Sequence, residues 1–353
     1  MKRHKTREIR IGRIGIGGDN PVRVQSMTNT LTRDVQATLS QINALARAGC
    51  ELVRVAVPDF EDAQALFEIK KHCPIPLVAD IHFDHRLALK ALEAGVDGLR
   101  LNPGNIGDPS RVARVAQQAR ARNVPIRVGV NSGSVDKNLL KKYGRPTPEA
   151  MVESALGHVR LLEDQNFDLI KVSLKSSSVP DTIEAYRLFA AERNYPLHIG
   201  ITEAGTPLRG AAKSGVGMGI LLYQGLGDTL RVSLTGDPVR EMIVAWEILR
   251  ALDIRHRGPE IIACPTCGRT EIDLPALAQA VEDKLKDVRK VFTVAVMGCV
   301  VNGPGEAREA DIGLAGGRDC GIIFKKGQII RKVRGEYLIP EFMAELDKFL
   351  DLT

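Results

Sequence analysis

The sequence predicts an α/β chain: a (β/α)8 TIM barrel over residues 1–257, followed by a small α+β domain over residues 258–353. Three observations predict it. Eight short β-rich runs recur through about 230 residues, each closing in polar residues and each followed by an amphipathic helical stretch. Several of those stretches end in Ala-Gly (Ala48-Gly49, Ala94-Gly95), a helix C-cap signature. Beyond Arg257-Gly258-Pro259, a short linker, the alternation stops and Gly/Pro-rich turns carrying cysteines begin. A doubly wound sheet needs neither eight units nor this regularity.

The chain opens with Ile9-Arg10-Ile11-Gly12 and Ile14-Gly15-Ile16-Gly17-Gly18, which alternate like a short hairpin. The glycines lack the G-x-G-x-x-G spacing and do not separate a strand from a helix, so they form a turn and not a phosphate loop. The eight runs are residues 22–27, 52–57, 76–82, 98–104, 126–131, 169–173, 197–203 and 230–235. Helical stretches between them include 34–48, 84–94, 148–164, 181–192 and 238–252. In the small domain the pattern gives a helix over 274–288, strands over 292–297, 312–315, 320–325 and 328–333, and a last helix over 339–352.

Composition narrows the function. The chain has 353 residues, 44% hydrophobic and 26% charged, with a formal charge of +6. Aromatics make up only 4%, too few to stack bases among the basic clusters, which argues against nucleic-acid binding. A mild positive excess suits a small anionic substrate better. The basic start Met1–Arg7 is not followed by an apolar stretch, and no apolar run reaches membrane-spanning length. A cytoplasmic protein is expected, in which thiols stay reduced and serve as metal ligands or small core residues.

Two turns in the last third carry the most specific chemistry: Cys264-Pro265-Thr266-Cys267-Gly268-Arg269 and Met297-Gly298-Cys299-Val300-Val301-Asn302-Gly303-Pro304-Gly305-Glu306. Cys299 lies 32 residues beyond Cys267, and Glu306 seven beyond Cys299. Gly and Pro leave backbone N–H groups accessible, as thiolates around an inorganic cluster require. Zinc is the rival, since C-x2-C is equally a zinc knuckle. Zinc sites usually close with a second C-x2-C or paired histidines, yet no histidine follows His256. Three cysteines without a local fourth thiol suit a 4Fe-4S cluster with another ligand on its fourth iron. Cys50, Cys73 and Cys320 are expected to be small buried hydrophobes.

In such a barrel the active site lies at the C-terminal ends of the strands. There the chain places Ser26, Arg54, Asp80, His82, Arg100, Asn102, Arg127, Asn131, Lys171, Ser173, His198, Thr202, Glu203, Arg231 and Ser233. Five cations (Arg54, Arg100, Arg127, Lys171, Arg231) are embedded in strands, with only Asp80 and Glu203 to offset them locally. Burying them together without counter-anions is very costly. A bound phosphate or diphosphate supplies the missing charge. Lys213-Ser214-Gly215-Val216-Gly217 follows the seventh strand, where barrel phosphate sites often lie.

Cys-Pro-x-Cys-Gly-Arg, Met-Gly-Cys-x-Val-Asn-Gly-Pro-Gly-Glu and Val-Asn-Ser-Gly-Ser at 130–134 together resemble the bacterial 4-hydroxy-3-methylbut-2-enyl diphosphate synthases of the non-mevalonate isoprenoid pathway. The likeness spans nearly the whole chain, without the large insertion of plant-type members. It implies that the small domain is an iron–sulfur domain, with a 4Fe-4S cluster on Cys264, Cys267, Cys299 and Glu306. It implies reductive ring opening of 2-C-methyl-D-erythritol 2,4-cyclodiphosphate with loss of water. It also implies reduced flavodoxin or ferredoxin as electron donor, and a homodimer in which each small domain covers the partner's barrel. Arg54, Asp80, Arg100, Asn102, Arg127, Asn131, Lys171, Ser173, Thr202, Lys213, Arg231 and Ser233 are then the expected substrate-binding set. Glu203, His82 and His198 are the candidates for proton delivery. Two other readings stand beside this one: a zinc-containing barrel enzyme acting on a phosphorylated sugar, and a non-catalytic iron–sulfur carrier.

Overall fold

The computed structural model describes residues 2–299, 307–317 and 319–351. It divides into two compact units, Met1–Arg255 and His256–Thr353.

The first unit begins with an antiparallel hairpin, β1 (Ile9–Ile11) and β2 (Ile14–Ile16). Ile9, Ile11 and Ile16 pack on Leu52 and Val78, near the starts of two barrel strands, so the hairpin covers the N-terminal end of the barrel. The barrel strands are β3 (Arg23–Met27), β4 (Leu52–Ala56), β5 (Leu77–Asp80), β6 (Gly98–Arg100), β7 (Ile126–Asn131), β8 (Ile170–Lys175), β9 (His198–Ile199) and β10 (Thr229–Leu230). All pair in parallel in the order β8-β7-β6-β5-β4-β3-β10-β9, and a bridge from Val172 to Leu197 closes the ring.

Local chemistry explains the punctuation. Asp34, Asp59, Asp84 and Asp108 each accept a backbone N–H in the first turn of the helices over 35–47, 60–72, 85–93 and 109–121. At the other ends, Gly49 (φ 101°) and Gly95 (φ 80°) take the left-handed backbone that lets the chain turn into the next strand. The outward strand residues, such as Val53, Val55, Leu77 and Ala79, meet Ile42, Leu45, Leu66 and Ile69 of the helices in one large apolar core. The inward residues are largely polar, so the core lies between the strands and the helices.

Lys213-Ser214-Gly215-Val216-Gly217, expected near a phosphate site after the seventh strand, lies inside a helix, Pro207–Tyr223. Pro207 at the first helical position and the apolar run that follows favour helix over loop.

The second unit is a five-stranded sheet with two helices. Its strands are β11 (Glu260–Ala263), β12 (Thr293–Met297), β13 (Ile312–Ala315), β14 (Cys320–Lys325) and β15 (Gln328–Arg334), in sequential order. β11, β12 and β13 run parallel, and β14 and β15 are antiparallel additions. Leu274, Leu277 and Val281 of one helix and Leu338, Phe342 and Leu346 of the other share a core with Val294, Val296, Leu314, Ile323 and Val333. Met297, Ala315, Ile322 and Phe324 form a smaller cluster with Ala307 and Ala310. These strand residues alternate with those of the first core, so they point to the sheet's other face. β11, only four residues and half-buried, escapes the sequence reading, although it leads directly into Cys264.

Candidate active site

Register brings four of the expected residues into one ring. Asp80 pairs with Arg100, Arg100 with Arg127, and Arg127 with Lys171, so the four side chains face the same interior across β5 to β8. Asp80 is the hub: its carboxylate lies 3.2 Å from Arg100 Nη1 and 3.5 Å from Arg54 Nε. Arg54 also sits 3.1 Å from the sulfur of Met27, its neighbour on β3. Arg100 Nη1 lies 3.0 Å from His82 Nε2, and Nη2 donates to the Gly129 carbonyl at 3.2 Å.

Asn102 and Gly129 lock the next layer. The Asn102 amide donates to Gly129 O and accepts from Gly129 N, both at 2.9 Å. Gly129 has no side chain for a reason: a Cβ there would come within 2.9 Å of Arg127 Nη1, 3.0 Å of Ser173 Oγ and 3.2 Å of Arg100 Nε. Arg127 Nη1 donates to Ser173 Oγ on the adjoining strand β8.

On the opposite wall Arg231 meets a carboxylate that the sequence reading missed. Glu241, from the helix Val239–Ala251, lies 3.5 Å from Arg231 Nη2, accepts from Leu234 N at 3.1 Å and accepts from Ser26 Oγ at 3.1 Å. Lys175 was also missed. It extends the alternation of Lys171 and Ser173 by one inward position, and a Cβ on Gly200 would lie 2.8 Å from its Nζ. Strand period alone would have found Lys175; Glu241 reads as an ordinary first-turn helix residue.

Among the described residues six inward cations (Arg54, Arg100, Arg127, Lys171, Lys175, Arg231) thus face two carboxylates, Asp80 and Glu241. A third carboxylate, Asp228, is engaged by Arg3 at 2.7 Å and by Leu197 N at 2.7 Å. The electrostatics show the strain. Burial, reinforced by the neighbouring arginines, pulls Lys171, Lys175 and Arg127 well below their ordinary pKa values. Burial lowers Arg54 to about 10, against the pull of Asp80. Burial alone would raise Asp80, but Arg54, Arg100 and Arg127 outweigh it and hold the carboxyl below its usual range. The Nε atoms of Arg100, Arg127 and Arg231 are buried without a hydrogen-bond partner.

His82 and His198 are both shifted toward the neutral form. Burial and Arg100 lower His82. His198 is fully buried, its Nδ1 is 2.8 Å from Thr229 Oγ1 and its Nε2 is unpartnered; burial and Lys175 pull its pKa far down. Glu203 stands apart from the cations: it is exposed, has a left-handed backbone (φ 52°) and forms no ion pair among the described residues. Thr202 and Ser233 are half-buried just beyond β9 and β10, and Asn131 is half-buried as the last residue of β7. Lys213 is exposed within its helix and joins none of these side chains in a hydrogen bond or ion pair among the described residues.

In the second unit, β11 and β12 end side by side, with Ala263 paired to Val296, so Cys264 and the Gly298-Cys299 turn leave the same end of the sheet. Gly298 N donates to Cys264 Sγ at 3.2 Å. Cys267 N donates to Thr270 Oγ1, and hydrogen bonds from Arg269 lower the Cys267 thiol. No three His, Cys, Asp or Glu side chains among the described residues stand close enough together to hold a metal ion. Glu306 lies outside the described residues. Of the remaining cysteines, Cys50 is buried, bonded to Leu52 O and pushed up to about 12 by burial. Cys73 is half-buried and bonded to Ile75 O. Cys320 departs from expectation: as the first residue of β14 it is exposed.

The GcpE TIM-barrel domain matches residues 6–246, and the GcpE protein C-terminal domain matches residues 260–348. A protein of Maridesulfovibrio salexigens named 4-hydroxy-3-methylbut-2-en-1-yl diphosphate synthase (flavodoxin) is 68% identical over 351 residues, covering 99% of this chain and 98% of its own. Proteins of the same name from Geobacter sulfurreducens and Clostridium acetobutylicum are 61% and 58% identical, each over 98% of this chain and 98% and 99% of their own. Among solved structures, N-acetylneuraminic acid synthetase from Leptospira borgpetersenii superposes with a TM-score of 0.53 at 13% identity, over 71% of this chain and 92% of its own. Dihydropteroate synthase from Xanthomonas albilineans gives 0.50 at 14%, over 71% of this chain and 100% of its own. At such identity these two share the barrel fold alone.

Proposed function

This chain belongs to the GcpE family of 4-hydroxy-3-methylbut-2-en-1-yl diphosphate synthases, and we infer from its residues how it performs that reaction. It is an oxidoreductase of isoprenoid precursor synthesis. It opens the ring of 2-C-methyl-D-erythritol 2,4-cyclodiphosphate, taking up two electrons and two protons, and releases 4-hydroxy-3-methylbut-2-enyl diphosphate and water. The zinc-containing sugar enzyme finds no support among the relatives.

One observation carries the assignment of the substrate site: six inward cations against two carboxylates in a barrel mouth. A cyclic diphosphate supplies the missing negative charge. Arg100 and Arg127 offer unpartnered Nε donors, and an arriving anion raises the proton affinity of Lys171 and Lys175 that burial depresses. Asn102 and Gly129 fix the Arg100 guanidinium, so the substrate is met by donors already in place. Asn131, Thr202 and Ser233 at the strand ends are the uncharged members of this set, and Ser173 holds Arg127. Lys213 is withdrawn from it, because its helix position leaves it on the surface.

The leaving water needs protons. His82 and His198 are held neutral by burial and by neighbouring cations, which leaves Glu203 as the remaining candidate to relay a proton. Its left-handed backbone fits a residue placed for function rather than for local comfort.

The residues of the second unit fit an iron–sulfur cluster. Cys264 and Cys299 share one sheet end, the Gly298 amide already donates to the Cys264 sulfur, and the Cys267 thiol is lowered toward thiolate. Cys264, Cys267 and Cys299 would hold the 4Fe-4S cluster, with Glu306 as the fourth, oxygen ligand. When bound, the cluster supplies electrons one at a time. Flavodoxin, printed in the relatives' names, is the donor we assign; ferredoxin is the alternative. No helix among the described residues is long and apolar enough to cross a membrane. With six free cysteines, a reducing cytoplasmic setting suits the chain. Anaerobic purification with iron and sulfide analysis tests the cofactor: about four irons and four sulfides per chain are expected. Zinc in place of iron would overturn it.

A further inference from the structure

β15 forms the outer edge of the small sheet, pairing only with β14. Its two faces differ. Arg331 and Val333 point toward the helix Leu338–Asp351: Arg331 pairs with Glu341 and lies 3.7 Å from Glu345, and Val333 joins the helical core. Lys332 and Arg334 lie opposite Ile322 and Cys320 and therefore point to the other face. There Lys332 and Arg334 are exposed and form no ion pair among the described residues. Ile329 and Ile330 beside them are 54% and 44% exposed. Arg308, also exposed, approaches the same ribbon at Gly327, where its Cγ would lie 2.9 Å from an added Cβ. Glu309 and Asp311 are the acidic neighbours of Arg308, and Asp311 lies 3.9 Å from Lys326.

This face ends where the thiols begin. β11, β12 and β13 finish at the sheet end from which Cys264 and Cys299 emerge; Gly316 N, just past β13, donates to Met297 O at 2.7 Å. β14 starts at that end with Cys320, and β15 finishes there with Arg334 as its partner. The cationic edge and Cys299 are thus three strands apart, on the order of 15 Å at the usual strand spacing.

We propose that this open face of β15, centred on Lys332, Arg334, Ile329 and Ile330, is where the electron donor docks, as a redox protein with a carboxylate-rich rim. The proposal rests on the reductase reading above. Electron-transfer encounters use small interfaces and charge steering, which a short apolar patch ringed by cations without ion pairs among the described residues provides. A second copy of this chain is the poorer occupant of this edge, because the chain carries a formal charge of +6. Flavodoxin is the committed partner.

The test uses the full-length, iron-loaded enzyme under anaerobic conditions. Lys332→Glu/Arg334→Glu is compared with wild type in two assays, one driven by reduced flavodoxin and one by a small chemical reductant. The KM for flavodoxin should rise about tenfold at low ionic strength, at the low end of what steering supplies, and converge with wild type as salt is added. Turnover with the chemical reductant, iron content and oligomeric state should not change. Flavodoxin affinity measured by titration calorimetry should fall in parallel. An unchanged KM for flavodoxin would mean that the charges only guard a strand edge, and a changed oligomeric state would assign the face to a second copy; either result overturns the proposal. A wild-type enzyme inactive with both reductants would instead strike the reductase reading itself.

Discussion

Asp80 and Arg100 are register partners on adjoining barrel strands, and their side chains meet at 3.2 Å in the interior. Asp80 is shared with Arg54 at 3.5 Å, so one carboxylate orders two guanidinium groups. It leaves charge unmatched, and that surplus is the proposed substrate site.

Arg100→Ala should therefore cost binding without unfolding the barrel. Asp80 keeps Arg54 as a partner, while the diphosphate loses a charge-assisted donor valued at about 1.5–3 kcal/mol, or roughly 10- to 150-fold in affinity. Calorimetric titration with substrate measures this, and the visible spectrum of the cluster should be unaltered. Normal affinity would remove Arg100 from the site.

Lys171→Met should trade function for stability. The pKa of Lys171 is depressed in the folded protein, so between that value and the ordinary one the unfolded chain binds more protons. Stability of the unliganded protein then rises with pH through that window, and the penalty is greatest below it. Removing the charge should stabilise the barrel by about 1–3 kcal/mol near neutral pH, with substrate binding largely lost. A lower melting temperature than wild type would contradict this. For wild type, the same depression predicts proton uptake on binding substrate at pH values within that window, readable from calorimetry in buffers of different ionisation enthalpy.

Gly129→Ala should act like a wedge. The new Cβ would crowd Arg127, Ser173 and Arg100 at 2.9, 3.0 and 3.2 Å. Because two of these are ends of flexible side chains, the fold should survive while the KM for substrate rises about tenfold or more. Unchanged kinetics would show that the guanidinium positions do not matter.

We propose that the protein works as a homodimer with each cluster domain serving the partner's barrel. Mixing a Cys299→Ala chain with an Arg100→Ala chain should then restore part of the activity, since each mixed dimer holds one intact site. No recovery despite proven subunit exchange would place the site within one chain.

The barrel was legible because eight short β-rich runs alternate with amphipathic stretches, two of which stop in Ala-Gly at Ala48-Gly49 and Ala94-Gly95. Arg54, Asp80, Arg100, Arg127 and Lys171 stood out as charges inside apolar runs, which only an interior site tolerates. Glu241 did not, because it reaches Arg231 from a helix that the sequence marks as ordinary surface. Lys175 lies one alternation past the last residue of the sixth run, and Lys213, placed by sequence near a phosphate site, lies exposed inside a helix. Glu203 is close in sequence to the strand cations, yet the carboxylate facing Arg231 is Glu241, 38 residues later, which no local pattern reveals.

The central claim is that a diphosphate held by the barrel cations is reduced by electrons entering through the cysteine end of the small sheet. Phosphorus NMR of an anaerobic reaction tests it most directly, with iron-loaded enzyme, the cyclic diphosphate and a measured supply of reduced flavodoxin. The account predicts that the cyclic signals give way to those of a linear diphosphate, with two electrons consumed per molecule, and that Cys264→Ser abolishes the conversion while substrate still binds. Conversion without reductant, or undiminished conversion by the Cys264→Ser enzyme, would contradict it.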